Sequence, residues 1–166
     1  MIHHRALTAA EIRALPPGLL AAVPSGEVVL IAAHHPLSLL SQTLRGYALI
    51  VVRGRRIFWP GLVADMSGDA GRLSVLAHEL VHVWQYETGM TLVKYVWRDV
   101  IRRLGRYAYR LKPGKPFTAY GYEQQAAMME DWVRLRHGLF AHYSRPDVPG
   151  ETIDMAALED IVPFLQ

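Results

Sequence analysis

Cysteine is absent from all 166 residues, and with it go whole classes of chemistry. A disulfide framework, a thiol nucleophile, an iron–sulfur cluster and a zinc site built on Cys are all excluded. Long hydrophobic runs are missing as well. The most apolar stretches, residues 28–33 and 48–52, fall far short of the roughly 20 residues that cross a bilayer, so no membrane span is expected. The opening Met1-Ile2-His3-His4-Arg5-Ala6-Leu7-Thr8 holds no apolar leader core. A cytoplasmic location is therefore expected, with export by a machine that needs no cleavable leader as the alternative. Repeats, low-complexity tracts and long linkers are also lacking. The excess of one charge sign is small: 18 basic against 15 acidic residues, a net +3, which suits a soluble chain and does not by itself demand a polyanion.

What is present describes a folded domain. Hydrophobic residues make up 51% and charged residues 20%, which excludes wholesale disorder. A chain of this size buries roughly 70% of its unfolded surface. One domain over residues 1–166 is expected, with a core at about 27–143 and a Pro-rich tail at 144–166. Its class is α+β: a small twisted sheet with a hairpin, packed on one long helix and accompanied by two more.

Thr8-Ala9-Ala10-Glu11 has the form of a capping box opening a short helix, which Pro16-Pro17 ends. Val28-Val29-Leu30-Ile31 predicts a buried strand between Pro24-Ser25-Gly26 and His35-Pro36. Residues 47–52 and 57–59 flank the turn Arg53-Gly54-Arg55-Arg56 as a β-hairpin closed by Pro60-Gly61. From about Asp69 the apolar residues Leu73, Leu76, Ala77, Leu80, Val81 and Trp84 recur at helical steps, and Gly89 supplies the stop. A second helix is expected over residues 93–104, a third over 122–136 ending near Gly138, and a short one at 155–161.

The first long helix carries Leu76-Ala77-His78-Glu79-Leu80-Val81-His82-Val83-Trp84-Gln85. His78 and His82, four apart, share one helix face a turn apart. Two such imidazoles can hold one zinc ion at about 2.0–2.1 Å each. Glu79 is turned roughly 100° away, so it is poor as a third ligand but well placed to take a proton from water beside the metal. Two surface histidines on a core helix would be the bland alternative; the amphipathic setting and apolar neighbours favour the metal.

A catalytic zinc site takes three protein ligands and keeps one position open. The extended motif with Gly and His three and six residues past the second His is absent, since Gln85 and Thr88 stand there. Glu123, in Tyr120-Gly121-Tyr122-Glu123-Gln124-Gln125-Ala126-Ala127, is the best third ligand, because Ala126 and Ala127 allow a close helix approach. A first-turn acid favoured by the helix dipole is the competing account of it. His142, in an unassigned loop, stays open as a rival. His137 lies about four turns from Glu123 and suits the helix C-terminus instead. His34 and His35 fit a surface turn, and His3 and His4 a mobile end.

These strings resemble a known family. His-Glu-x-x-His with a distant Glu-x-x-Ala resembles the gluzincin class of zinc metallopeptidases. The fuller His78-Glu79-Leu80-Val81-His82-Val83-Trp84-Gln85 and Glu123-Gln124-Gln125-Ala126 resemble a narrower bacterial group: Vgr-related or Rhs-associated metallopeptidase domains, akin to the metallopeptidase-like domain of contractile injection systems. The similarity runs from the hairpin near Tyr47 to about Gly138. It implies a zincin-like fold, one zinc ion per chain, His78, His82 and Glu123 as ligands, and Glu79 as general base. It also implies a peptide or protein substrate and a secretion-system partner. One departure stands out: many gluzincins carry an acid four residues after the ligand Glu, and here that residue is Ala127. Glu130 and Asp131 lie on roughly that face, though an ion pair with Arg134 accounts for Glu130 as well.

Peptide hydrolysis also needs a donor to the developing oxyanion. Tyr120 is the expected one, with Tyr122, Tyr107 and Tyr109 nearby. The strand Ile57-Phe58-Trp59 could offer its edge to an extended peptide. Eight basic residues between Lys94 and Lys115 face only Asp99, yet Arg98, Arg102 and Arg106 are spaced as the solvent face of a helix, so nucleic acid is not an expected partner. The expected activity is zinc-dependent peptide hydrolysis. Its alternatives are a catalytically idle zinc-bound scaffold or processing module of a secretion system, and a polyanion binder using the basic helix.

Overall fold

The computed structural model describes residues 3–36, 49–95, 97, 107–145 and 152–166. Its architecture is mixed α+β, with a small four-stranded sheet against a helical layer. Strand β1 (His4–Arg5) is followed by helices α1 (Ala9–Ala14) and α2 (Pro17–Ala22) and by β2 (Val29–Ile31). The hairpin β3 (Val51–Arg53) and β4 (Arg56–Phe58) leads into the long α3 (Ala70–Glu87). Helices α4 (Leu92–Tyr95), α5 (Tyr122–Arg136) and α6 (Met155–Glu159) follow among the described residues. No helix among the described residues is long and apolar enough to cross a membrane.

The capping box forms as expected. Glu11 N–H donates to Thr8 Oγ1 at 3.0 Å, and Thr8 N–H donates to Glu11 Oε2 at 2.8 Å. The Glu11 carboxylate, fully buried, also takes both Arg5 guanidinium nitrogens and the Met66 amide, so it ties the first strand to the loop ahead of α3. His4 is therefore not a loose end: it pairs with Ile31, and Arg5 with Leu30.

The strand order is β1-β2-β4-β3, with β2 and β4 parallel and the other pairs antiparallel. This corrects the expected free edge. The Ile57-Phe58-Trp59 strand lies between two neighbours, because β2 pairs along the side away from the hairpin. Strand β3 is an edge strand, as β1 is at the other side of the sheet, and among the described strands it pairs only with β4. Its polarity follows from alternation. Val29 N–H donates to the Arg55 carbonyl and Trp59 N–H to the Ile31 carbonyl, so residues 55, 57 and 59 face β2. The Val52–Ile57 pair is then a non-hydrogen-bonded pair, and the Val52 amide and carbonyl point outward from the edge.

Helix α3 starts where the Asp69 carboxylate accepts the Arg72 amide at 3.0 Å. It ends at Gly89, whose φ of +97° is costly for a residue with a Cβ. Between these ends it is buried on nearly every side, from Leu73 to Gln85. Its most extensive partner is α5, and this pairing brings the two sequence motifs together. The expected second helix is described only as Leu92–Tyr95; the rest of it, with Arg98, Arg102 and Arg106, lies outside the described residues.

The C-terminal stretch differs from the expected tail. Leu158, Val162 and Phe164 are buried, and the Phe164 ring meets Trp84 at 5.0 Å and Phe117 at 5.8 Å. Trp132 Nε1–H donates to Glu159 at 3.0 Å. The chain can pass there because Gly18 has no side chain: a Cβ on it would sit 2.2 Å from the Phe164 carbonyl oxygen. The three apolar side chains on a short segment outweigh its Pro-rich start.

Candidate metal centre

Four-residue steps along α3 align His78, His82 and Tyr86 on the face that looks under β3. Helix α5 begins at Tyr122, directly opposite, so Glu123 in its first turn meets the two imidazoles. The Nε2 atoms of His78 and His82 each lie 3.4 Å from Glu123 Oε2. One ligand atom from each of the three residues falls within 4.8 Å of the others. All three side chains are buried.

Each ligand is held from behind. Tyr95 donates its hydroxyl to Glu123 Oε1 at 2.5 Å, which turns Oε2 to the histidines. Glu130 Oε2 stands 3.0 Å from His78 Nδ1, at ion-pair distance. His82 Nδ1 lies 2.8 Å from Gln85 Oε1. Tyr107 lies over His78 with ring centroids 5.8 Å apart and stacks on Tyr143 at 5.4 Å. Asp131, fully buried, holds that wall in place: it accepts Tyr109 Oη–H at 2.9 Å and the amides of His142, Tyr143 and Ser144.

The electrostatics favour a cation at the centre. Three buried carboxyl groups, Glu79, Glu123 and Glu130, surround two imidazoles. Burial opposes the charged form of His78, yet the Glu123 and Glu130 carboxylates push it up to about 10. His82 is raised likewise: burial again opposes the charge, and Glu123 overcomes it. Burial acts to raise Glu123, but the two imidazoles hold it well below the usual carboxylate range. The same carboxylates that raise the two imidazoles would favour a metal cation among them. Two nitrogens and one carboxylate oxygen, buried and convergent, are a donor set that fits a divalent ion of the zinc type. The remaining side is open to a groove of about 200 Å³ between α3 and β3, lined by Val52, Arg53, Tyr86, Met90 and Glu79 among others. Glu79 is buried beside the cluster and outside it; burial raises its carboxyl while His78 and His82 pull it down.

The structure therefore brings His78, His82 and Glu123 together and sets Glu79 next to them. It does not bring Tyr120. That side chain is buried, its hydroxyl accepts the Lys112 amide at 3.0 Å, its ring lies under Lys115 Nζ, and it is not among the groove-lining residues. The extended backbone at Tyr120 turns the ring back into the core before α5 starts. His142 is used through its backbone amide and is not in the cluster, and His137 caps the end of α5. Glu130 is the acid behind His78, seven residues after Glu123 and so two turns along the same face. Of the two accounts weighed for Glu130, the contact with the ligand His is the one formed; Arg134 Nε donates instead to the Phe140 carbonyl. Of the tyrosines considered beside Tyr120, Tyr107 is the one at the centre, against His78; Tyr95 was not expected there, and only its proximity in the fold reveals it.

No protein-family model matches the chain. Over 74 residues it is 38% identical to the type VI secretion system spike protein VgrG2b of Pseudomonas aeruginosa, a stretch that is 42% of this chain and 7% of that protein. Among solved structures it is similar to the effector domain of P. aeruginosa VgrG2b, with a TM-score of 0.63 and 26% identity, over 78% of this chain and 73% of that one. The chain is thus similar, in sequence and in fold, to the effector domain of a secretion-system spike protein.

Proposed function

We propose that the chain is a zinc-dependent peptidase that works as an effector module of a bacterial secretion system. The observation that carries this reading is the convergence of His78, His82 and Glu123 beside a buried Glu79 at the floor of an open groove. When bound, the ion would supply a Lewis acid that polarises a carbonyl and acidifies water. His78, His82 and Glu123 would hold it. The outward-facing Val52 amide and carbonyl suit the strand-addition mode, in which an extended peptide continues the sheet and its scissile bond crosses the histidines. Glu79 would take the proton of the attacking water on its carboxylate and deliver it to the leaving amine. Its raised affinity for protons brings it nearer to what such a shuttle needs. Similarity to a spike-protein effector domain supports the secretion-system part of the reading.

The decisive test is Glu79→Gln, which keeps size and polarity but cannot accept a proton. Zinc content and melting temperature should stay near the parent's, and turnover of a peptide library should fall at least 10²-fold, the usual scale for a general base. Unchanged turnover in a zinc-loaded variant would refute the assignment. A zinc-loaded parent that cleaves no peptide would favour the idle scaffold.

A further inference from the structure

Two of the three glutamines in the family-like strings, Gln85 and Gln125, take no part in the chemistry above, yet both are buried between α3 and α5. Gln85 Nε2 donates to the Tyr122 carbonyl and to Gln125 Oε1, each at 3.0 Å. Gln125 Nε2 donates to the Tyr120 carbonyl at 2.9 Å. Backbone carbonyls can only accept, so the orientation of both amides is fixed at each end of this chain. Gln85 must then present its oxygen to His82, 2.8 Å from Nδ1. An oxygen there requires the proton on His82 Nδ1, which leaves Nε2 as the atom facing Glu123.

From this geometry we infer that Gln85 and Gln125 form one neutral positioning unit, which fixes His82 with Nε2 toward the metal and couples it to the turn that carries Glu123. The inference rests on the metal reading given above. The residue type follows from the geometry. Gln85 stands three residues after His82, within reach of its ring on the helix surface. It must accept from an imidazole and donate to a carbonyl, which an ionised carboxylate cannot do. A neutral amide also adds no fourth negative charge beside Glu79, Glu123 and Glu130. Gln124, between Glu123 and Gln125, works elsewhere: its Oε1 accepts the Gly121 amide and its Nε2 donates to the Ala108 carbonyl, fixing the start of α5.

The test is zinc affinity by chelator competition on the full chain, for Gln85→Leu, Gln125→Leu and the double variant, with nitrogen-15 NMR of the histidine rings. Each single variant should weaken zinc binding about 10–100-fold, the range for groups behind a metal ligand. Because the amides act as a unit, the double variant should lose no more than about twofold beyond the weaker single one. Singles within about twofold of the parent, or a double loss equal to the product of the singles, would overturn the coupling. The NMR arm uses the parent alone and so survives a variant that fails to fold. His82 should show a slowly exchanging Nδ1 proton; a ring that carries its proton on Nε2 alone would overturn the inference. If the parent binds no zinc, the metal reading fails, while the Nδ1 proton of the metal-free chain still decides how Gln85 is oriented.

Discussion

Removal of the Glu123 carboxylate tests the metal centre most directly, because its consequence can be worked out from linkage. An ion that binds only the folded chain stabilises it by RT ln(1 + [L]/Kd), about 2.7 kcal/mol at 100 times Kd. For a domain of this size each kcal/mol moves the melting temperature by roughly 2–4 °C, so zinc should raise the parent's by about 5–11 °C. Glu123→Ala leaves His78 and His82 alone on one helix and removes the oxygen 3.4 Å from both. A loss of affinity of at least about 100-fold is expected, larger than for groups that only support a ligand. At the same zinc concentration the ion then contributes about 0.4 kcal/mol, a shift of roughly 1–2 °C. Differential scanning fluorimetry of both proteins, metal-free and zinc-loaded, reads this directly. If Glu123 were merely a first-turn acid, the variant would keep the full zinc shift and lose under about 1 kcal/mol of metal-free stability. That result would refute the ligand assignment and send the search for a third ligand beyond the cluster.

The metal-free chain should respond to alkali in the opposite sense from the zinc complex. His78 is pushed up to about 10 from an ordinary 6.5, so its contribution is complete below about pH 6.5 and is lost as pH rises toward 10. Zinc needs neutral imidazoles, so its affinity should instead fall with falling pH and its uptake should release protons, both measurable by titration calorimetry in two buffers. Asp131→Ala should destabilise the fold by about 3–5 kcal/mol, because it strands four donors around a fully buried site. Urea unfolding measures that cost, and a loss under about 1 kcal/mol, the worth of one ordinary hydrogen bond, would contradict it.

Much of this site was legible in the sequence because it is written in helical spacing. His78 and His82 four apart, with Glu79 turned to one side, need only the geometry of one helix. Glu123 could be selected because small Ala126 and Ala127 beside it let α5 approach α3, the pairing the structure shows. Glu130 was ambiguous for a physical reason. It is two turns from Glu123 and one turn from Arg134, and spacing alone cannot choose between an internal imidazole and an external guanidinium. Burial decides, and burial is a tertiary quantity. Tyr95 and Tyr107 reach the centre from separate segments, so no local pattern marks them. Tyr120 shows the converse: adjacency to Glu123 in sequence suggested a place in the groove, but the backbone just before α5 turns its ring into the core. The free sheet edge was likewise beyond local pattern, since a hairpin does not reveal which of its strands a distant β2 will cover.

Catalytic and structural metal sites differ in what surrounds the ligands, and here the surroundings favour catalysis. A structural site closes its fourth position with protein. The cluster of His78, His82 and Glu123 instead opens onto a groove along the edge of β3 that no described strand covers. The same contrast applies to Glu79. A carboxyl buried without being a ligand is a burden on folding, and burial alone drives it toward its neutral form. A site that only held α3 and α5 together would be more stable with an apolar side chain at that position. The His78 and His82 imidazoles offset part of that cost, and a bound cation beside Glu79 would offset more. The presence of Glu79 next to the open position therefore supports the proposed turnover more strongly than the ligands do, since the ligands alone would serve either purpose.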